Sequence, residues 1–504
     1  MGVLVALSAV LLASALAFFL WERSRSAAPP TSAQAVADLP ESAARWSAPL
    51  AAAAAVTKFG AAYADAGGLG QQLGRAARDL AARARQADIA LRQPQWEPRV
   101  APPLAPAALL TLPGQSREQV PKSMYSLEFC AALVAALRSA GASLAVVELQ
   151  AGAGVSATSP DPSGYLGYYG IAEQADGERP PRLFDPFAAV ASEAEAAVEL
   201  EPLPVTANGQ VLSDDQVAAA FLGLEALSQL RLEPAVALTE VDAALRLWPR
   251  SAVLRSIHAR VLSVTAGVSE AEREARAALQ LRPDAPRHLH LATYLVEQGD
   301  VGAAQAELAQ ALVADSAFAP AQLLTAALSA AKGQVDEAKA TVMRLIQTQP
   351  DLPGVFLTAA QIEAAGGDLP AAITLAEKAL VQRPESPEVY LALAQLHLAA
   401  GDRPAMREQL RRLLAVTVPG RQAEVKAQLV AMFGAGALSE VEAADTTPEE
   451  SADEPGAETT GDLGADGTGD AADLQRDLDQ LRLSPGAGLL APTKRAPAEE
   501  QGSR

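Results

Sequence analysis

Glycines recur every 34 residues through the second half of this chain, at Gly299, Gly333, Gly367 and Gly401. Alanines Ala292, Ala326, Ala360 and Ala394 keep the same interval, and prolines Pro249, Pro283, Pro350 and Pro384 follow at steps of 34, 67 and 34. A fixed period of this length means that one supersecondary unit is being copied. The unit, as in SPEVYLALAQLHLAAGDRPAMREQLRRLLA, reads as two amphipathic helices joined by a Gly-Asp turn. Each recurring residue has its own reason. A small alanine in the first helix lets the second approach closely, glycine takes the positive φ that ends a helix, and proline marks the next break. A single hairpin buries too little apolar surface to stand alone, so the copies must stack into a solenoid.

On this pattern, kept in LATYLVEQGDVGAAQAELAQAL and LTAAQIEAAGGDLPAAITLAEKALVQRP, residues 215–433 resemble a tetratricopeptide-repeat (TPR) array. Two less regular units precede it, roughly 215–250 and 251–284, with Ala244 and Ala278 at the second-helix small position; 421–433 reads as a closing helix. The resemblance implies a mainly α fold, a protein or peptide partner bound in a concave groove, and no chemistry. Counted along the family's first helix, Thr293, Gln361 and Gln395 share one groove-facing place, and Glu297 lies a turn further on. The alternative is that all four are solvated polar positions. The basic clamp that some relatives use for carboxylate-ended peptides is not evident there, so an apolar or mixed ligand is expected rather than an acidic one.

Composition narrows the function classes. Half of the 504 residues are apolar but only 4% are aromatic, so a core must be built from Ala, Leu and Val, which suits packed helices. Forty basic against sixty acidic residues give a net charge of −20, which argues against a nucleic-acid backbone or anionic lipid as the main partner. One cysteine excludes an internal disulfide and any multi-cysteine metal site. His288-x-His290 places two imidazoles on different sides of a helix, a poor metal pair that is expected on the solvated surface. No phosphate-binding glycine motif occurs, and neither a cofactor nor a metal is expected.

The N-terminus carries no charge from Val3 to Trp21, a run that as a helix reaches about 28 Å, close to the ~30 Å hydrocarbon core of a bilayer. Residues 1–23 are therefore expected to anchor the chain in a membrane by a single pass, and 24–40 to form a tether. A cleavable signal peptide is the alternative; the absence of Lys or Arg before the run, its length and the lack of a small-x-small site speak against it. Arg23 and Arg25 favour a cytoplasmic soluble part beneath the cell membrane.

Between tether and repeats the texture changes. Residues 41–108 read as an Ala-rich helical stem with a Pro-rich joint. Residues 109–204 read as helix–strand–strand–strand: SLEFCAALVAALRSAG sets Leu127, Cys130, Val134 and Leu137 on one apolar face and stops at Gly141, and SLAVVEL, YYGIAE and RLFDP follow. This α+β order resembles the core of transglutaminase-like, papain-related proteins, in which a cysteine opens a helix ending in Leu-Arg-x-x-Gly, a His-x-Trp-x-Glu strand follows, and Asp-Pro completes the triad. Carried over residue by residue, the nucleophile position falls on Ser126, the histidine position on Tyr169 and the aspartate on Asp185, with Cys130 one turn after Ser126. Residues 1–257 contain no histidine, so a serine or cysteine nucleophile there lacks its usual base. The expectation is a degenerate, non-catalytic domain.

From Glu440 to Asp473 there are twelve acidic residues, and no Lys or Arg occurs between Lys426 and Arg476. Residues 437–504 are expected to form a disordered acidic tail. Leu474, Leu478 and Leu481 add a short amphipathic patch that can dock on a partner or on the chain's own repeats, or stay without one. The reading that joins these features is a membrane-anchored, non-enzymatic adaptor that binds a protein partner. One alternative is a hydrolase or acyltransferase using Ser126 or Cys130 with Asp185; another is a pseudoenzyme binding a peptide or glycan around Tyr168, Tyr169 and Glu173.

Overall fold

The computed structural model describes residues 54–65, 67–87, 89, 103–111, 125–149, 165–173, 182–191, 199–203, 209–417 and 422–434. The expected anchor, the tether and the acidic tail with Leu474, Leu478 and Leu481 lie outside them. Among the described residues no helix is long and apolar enough to cross a membrane. The chain divides into two compact units, one extending to Ala321 and the other beginning at Gln322.

The first unit opens with helices α1 (Ala54–Ala61), α2 (Leu69–Gln86), α3 (Pro106–Leu110) and α4 (Ser126–Ser139). An antiparallel sheet follows, β1 (Leu144–Leu149), β2 (Tyr168–Glu173), β3 (Leu183–Phe184) and β4 (Gly209–Val211), in the order β3-β2-β1-β4, with a one-turn helix α5 (Ala188–Ala191) before β4. The helix and first three strands are those read from sequence. The fourth strand lies beyond the expected boundary at residue 204, pairing Val147 with Val211 and Glu148 with Gln210. It is three exposed residues long, too short to show an alternating pattern.

Helix α4 departs from the one-faced helix its spacing suggests. Every residue from Ser126 to Leu137 is buried, because β1 and β2 cover one side and α1, α2 and α3 pack on others. The stretch read as a stem is thus part of the wall of this core. Gly60 makes the contact possible: a Cβ there would sit 1.8 Å from the Ala136 carbonyl oxygen. The helix start is fixed by Glu128, whose buried carboxylate accepts the backbone N–H of Tyr125 at 2.6 Å and of Leu104 at 2.5 Å, which caps the first turn and ties down the incoming chain.

Helical hairpins continue the same unit: α6 (Asp214–Gln229) with α7 (Pro234–Leu247), α8 (Ala252–Thr265) with α9 (Val268–Leu281), and α10 (Ala285–Glu297) with α11 (Val301–Ala314). Helix α12 (Ala319–Ala331) spans the division. The second unit holds α13 (Val335–Thr348), α14 (Val355–Gly366), α15 (Leu369–Gln382), α16 (Pro387–Ala399), α17 (Arg403–Val416) and the closing α18 (Gln422–Phe433).

The Gly-Asp signature acts at both sides of each turn. Gly299, Gly333, Gly367 and Gly401 have φ of 87°, 90°, 89° and 81°, the left-handed conformation that only glycine adopts without strain. The residue after each glycine returns its N–H to a carbonyl five residues back, as in Asp300 to Leu295 and Asp402 to His397, which satisfies carbonyls left open at the helix end. Asp300, Asp368 and Asp402 then cap the next helix, accepting from the N–H of Ala303, Ala371 and Ala405 at 2.9, 3.0 and 3.0 Å. Gln334 stands at the corresponding place in its repeat and makes no side-chain cap. The hairpins close on alanine: Ala360, Ala364, Ala372, Ala376 and Ala379 are buried together with Val389 and Leu393.

Candidate functional site

Of the residues read as triad positions, Ser126 and Tyr169 meet beside α4, with Cys130 next to them. The backbone N–H of Tyr169 donates to the Ser126 hydroxyl at 3.3 Å, and the Cys130 thiol donates to the Tyr169 carbonyl at 3.2 Å. Asp185 is buried and accepts the Phe187 N–H at 2.9 Å. What stands beside Ser126 is thus a peptide group, which cannot take a proton from a hydroxyl. Burial, with Asp185 as a second cause, pushes the Cys130 thiol well above the usual cysteine range, so it stays a neutral core group. Cys130 should resist alkylation by iodoacetamide at pH 8 in the native protein and react fully once unfolded; rapid native labelling, read by mass spectrometry, would reopen the nucleophile reading. Tyr168 and Tyr169 are buried and Glu173 is ion-paired with Arg182, so these residues present no open platform for a peptide or glycan. Gly167, with φ of 66°, leaves room for the Tyr169 phenol, whose oxygen a Cβ would approach to 2.9 Å.

Long-range contacts join this sheet to the repeats that follow it within the first unit. Glu148, opposite Tyr169 in the β1–β2 register, is 1% exposed and meets Arg282 at 2.6 Å. Burial works against the Arg282 charge, but Glu148 outweighs it and moves the guanidinium pKa upward. Tyr165, just before β2, stacks on His290 with ring centroids 3.9 Å apart and planes 12° from parallel, and Arg260 lies 4.9 Å over the same ring. His290 is therefore buried, not solvated as its polar sequence suggests, and His288 bonds Glu307 at 2.7 Å. Arg260 follows the buried Ala259 as Thr293 follows Ala292, Gln361 follows Ala360 and Gln395 follows Ala394. Its signal in the sequence is blurred because Ala259 precedes Ala292 by 33 residues rather than 34.

The four expected groove residues differ in what surrounds them. Thr293 is half-buried and donates to the Leu289 carbonyl of its own helix at 2.9 Å. Glu297 is buried. Gln361 and Gln395 are brought together in the second unit: with Leu357, Ala360, Ala364, Ala392 and Leu396 they line a small, apolar-walled pocket between α14 and α16. Gln361 is half-buried; Gln395 is 6% exposed. Neither end of the Gln395 carboxamide has a hydrogen-bond partner, which is uncommon for a buried polar group. Among the described residues no group of three or more His, Cys, Asp or Glu side chains is arranged to hold a metal ion.

Residues 353–396, which contain this pocket, match the family model for the tetratricopeptide repeat. Among solved structures the chain is similar to a tetratricopeptide repeat protein from Parabacteroides merdae, at 16% identity and a TM-score of 0.36 over 41% of this chain and 82% of that one. It is similar also to PilW, described as a widely conserved type IV pilus biogenesis factor, at 21% identity and 0.33 over 44% and 98%. A third is PilF of Pseudomonas aeruginosa, at 18% identity and 0.32 over 46% and 98%. No curated protein matches the chain. The repeats are recognised by the family match and by the hairpin and turn geometry.

Proposed function

We propose that this chain is a non-enzymatic scaffold that holds a protein partner on the first-helix face of its later repeats, anchored to the cell membrane through Val3–Trp21 with the repeats on the cytoplasmic side. The observation that carries the binding role is the pocket between α14 and α16, where the two glutamines placed by the 34-residue register share one lining. Scaffold repeats of this kind expose one helix face to ligands and bury the other in the stack. The absence of histidine from residues 1–257 and the peptide group beside Ser126 support a non-enzymatic role for the sheet unit. The uncharged run and the flanking Arg23 and Arg25 support the anchor and its orientation.

The test is a crosslinking pull-down of the full-length protein from native membranes beside a Gln361→Arg variant. Gln361 is half-buried at the pocket rim, so a long charged side chain there obstructs the pocket without entering the core. A specific partner is expected to fall at least tenfold in the variant at an unchanged thermal midpoint. Equal capture of the same partner would sink the proposal.

A further inference from the structure

We propose that residues 473–484 return as a helix onto the outer face of α18, antiparallel to it, and cover the end of the repeat stack. This docking surface is separate from the partner face on α14 and α16 and does not depend on the scaffold reading. Three observations select that occupant.

The first is the face itself. Val425, Leu429 and Phe433 bury one side of α18 with Leu410, Leu413 and Leu414 of α17. The opposite side presents Ala423, Ala427, Val430 and Ala431, all exposed, with no polar side chain among them. A terminal repeat needs a polar outer face to keep the stack soluble, and a helix that is apolar on both sides is one that is covered on both. Among the described residues α18 has only one covered side.

The second is register and reach. Ala423, Ala427 and Val430 stand at i, i+4 and i+7, and Leu474, Leu478 and Leu481 repeat that spacing. Small side chains on one helix facing leucines on the other let the two surfaces interdigitate. The segment opens on Asp473, a residue type that caps helix starts, and stops before Pro485. Residues 435–473 connect it to α18. At roughly 3.3 Å apiece they can extend to about 130 Å, several times the ~18 Å length of α18, and the attachment makes the docking intramolecular.

The third is charge. Lys426 stands three residues after Ala423 and Asp477 three after Leu474, so each lies on the same flank of its apolar face; Arg482, one residue after Leu481, lies on the other flank. Helices that face each other antiparallel bring equivalent flanks together, which sets Lys426 against Asp477. The parallel sense would set Lys426 against Arg482, and a second copy of α18 docked antiparallel would set Lys426 against Lys426. Opposite charges at the edge of an apolar contact fix its sense and its partner. The connecting residues 435–473 carry acidic side chains and no basic ones, whereas α17, which backs α18, has four arginines and one acidic residue, Glu408, so attraction at longer range also favours the return.

The test measures disulfide closure between engineered cysteine pairs in the full chain, in a glutathione redox buffer and read by mass spectrometry. Native Cys130 is buried and does not compete, and Ala423 and Ala427 are exposed, so cysteines there leave the buried side of α18 intact. Ala427→Cys with Leu478→Cys is expected to close within one chain at least tenfold faster than Ala427→Cys with Leu483→Cys, because position 483 falls on the far side of the returning helix. Ala423→Cys should close faster with Leu481→Cys than with Leu474→Cys, as the antiparallel sense requires. Lys426→Glu should slow the 427–478 closure at least threefold, and adding Asp477→Lys should restore the rate to within about twofold. Equal rates for positions 478 and 483 overturn the inference, as does a preference of position 423 for 474 or a 427–478 rate indifferent to Lys426→Glu. Bonds that form between chains rather than within one give the face to a second copy and overturn it too.

Discussion

Replacing Arg282 by methionine should cost the first unit about 3 kcal/mol or more in urea unfolding, because it strands a buried carboxylate. Glu148 is 1% exposed and lies on β1, one of the two inner strands of the sheet, while the Arg282 side chain is 21% exposed. That residual exposure puts the loss at the lower end of the roughly 3–5 kcal/mol seen when one partner of a buried pair is removed. The loss comes from the charge left behind, so adding Glu148→Gln to Arg282→Met should recover more than half of it. A buried pair is worth little against apolar replacements of both partners, but much when only one is taken away. If the single variant unfolds within about 0.5 kcal/mol of the parent, as ordinary surface changes do, the ion pair is not what holds sheet and repeats together. A double variant no better than the single would point to lost packing of the Arg282 stem.

Gly60→Val is expected to destabilise the same unit by about 3 kcal/mol or more. Its first added carbon would stand 1.8 Å from the Ala136 oxygen, 2.7 Å from the Ala136 carbonyl carbon and 2.9 Å from the Ser139 hydroxyl. Two of these atoms are backbone, so no rotamer change relieves the clash and α1 must move off α4. Overpacking of this kind costs about 1–3 kcal/mol where side chains can adjust, and more where they cannot. Gly302→Ala on α11 is the control: the nearest atom to its new Cβ is 3.7 Å away, and removing a helical glycine should add about 0.5 kcal/mol. A Gly60→Val protein with the parent's thermal midpoint would show that α1 is not part of this core.

Some of this architecture is legible because its causes are local. A helix that must reverse within one residue needs a positive φ, which selects glycine, and the following N-cap selects aspartate. Gly299-Asp300, Gly367-Asp368 and Gly401-Asp402 therefore announce their turns without reference to anything distant. The β1 and β2 runs are similarly legible, since a continuous apolar stretch of strand length bounded by turn residues has few other uses. Helices α1 and α2 are legible as helices but not as the wall of a core, because an alanine-rich pattern shows no strong preference for the face it will bury; α3 falls in the stretch read as a Pro-rich joint.

The candidate site divides the same way. The register of Ala360 and Ala394 places Gln361 and Gln395 one residue further on, so their common face follows from counting. That Gln395 would be buried with an unpaired carboxamide, and Gln361 left at the rim, depends on how α14 and α16 close on each other.

What the sequence by itself determined here is periodic: two helices per repeat, the glycine of each turn with an aspartate after three of the four, and the small residues at each close approach. Tertiary structure alone decided the pairings between distant segments: Tyr165 on His290 and Arg260, Glu148 with Arg282, Tyr169 across Ser126 and Cys130. The physical reason is the range of the forces involved. Helix ends and turns are settled by backbone geometry within a few residues, whereas burial, ion pairing and ring stacking are settled by whichever segments the packed chain brings within a few ångströms.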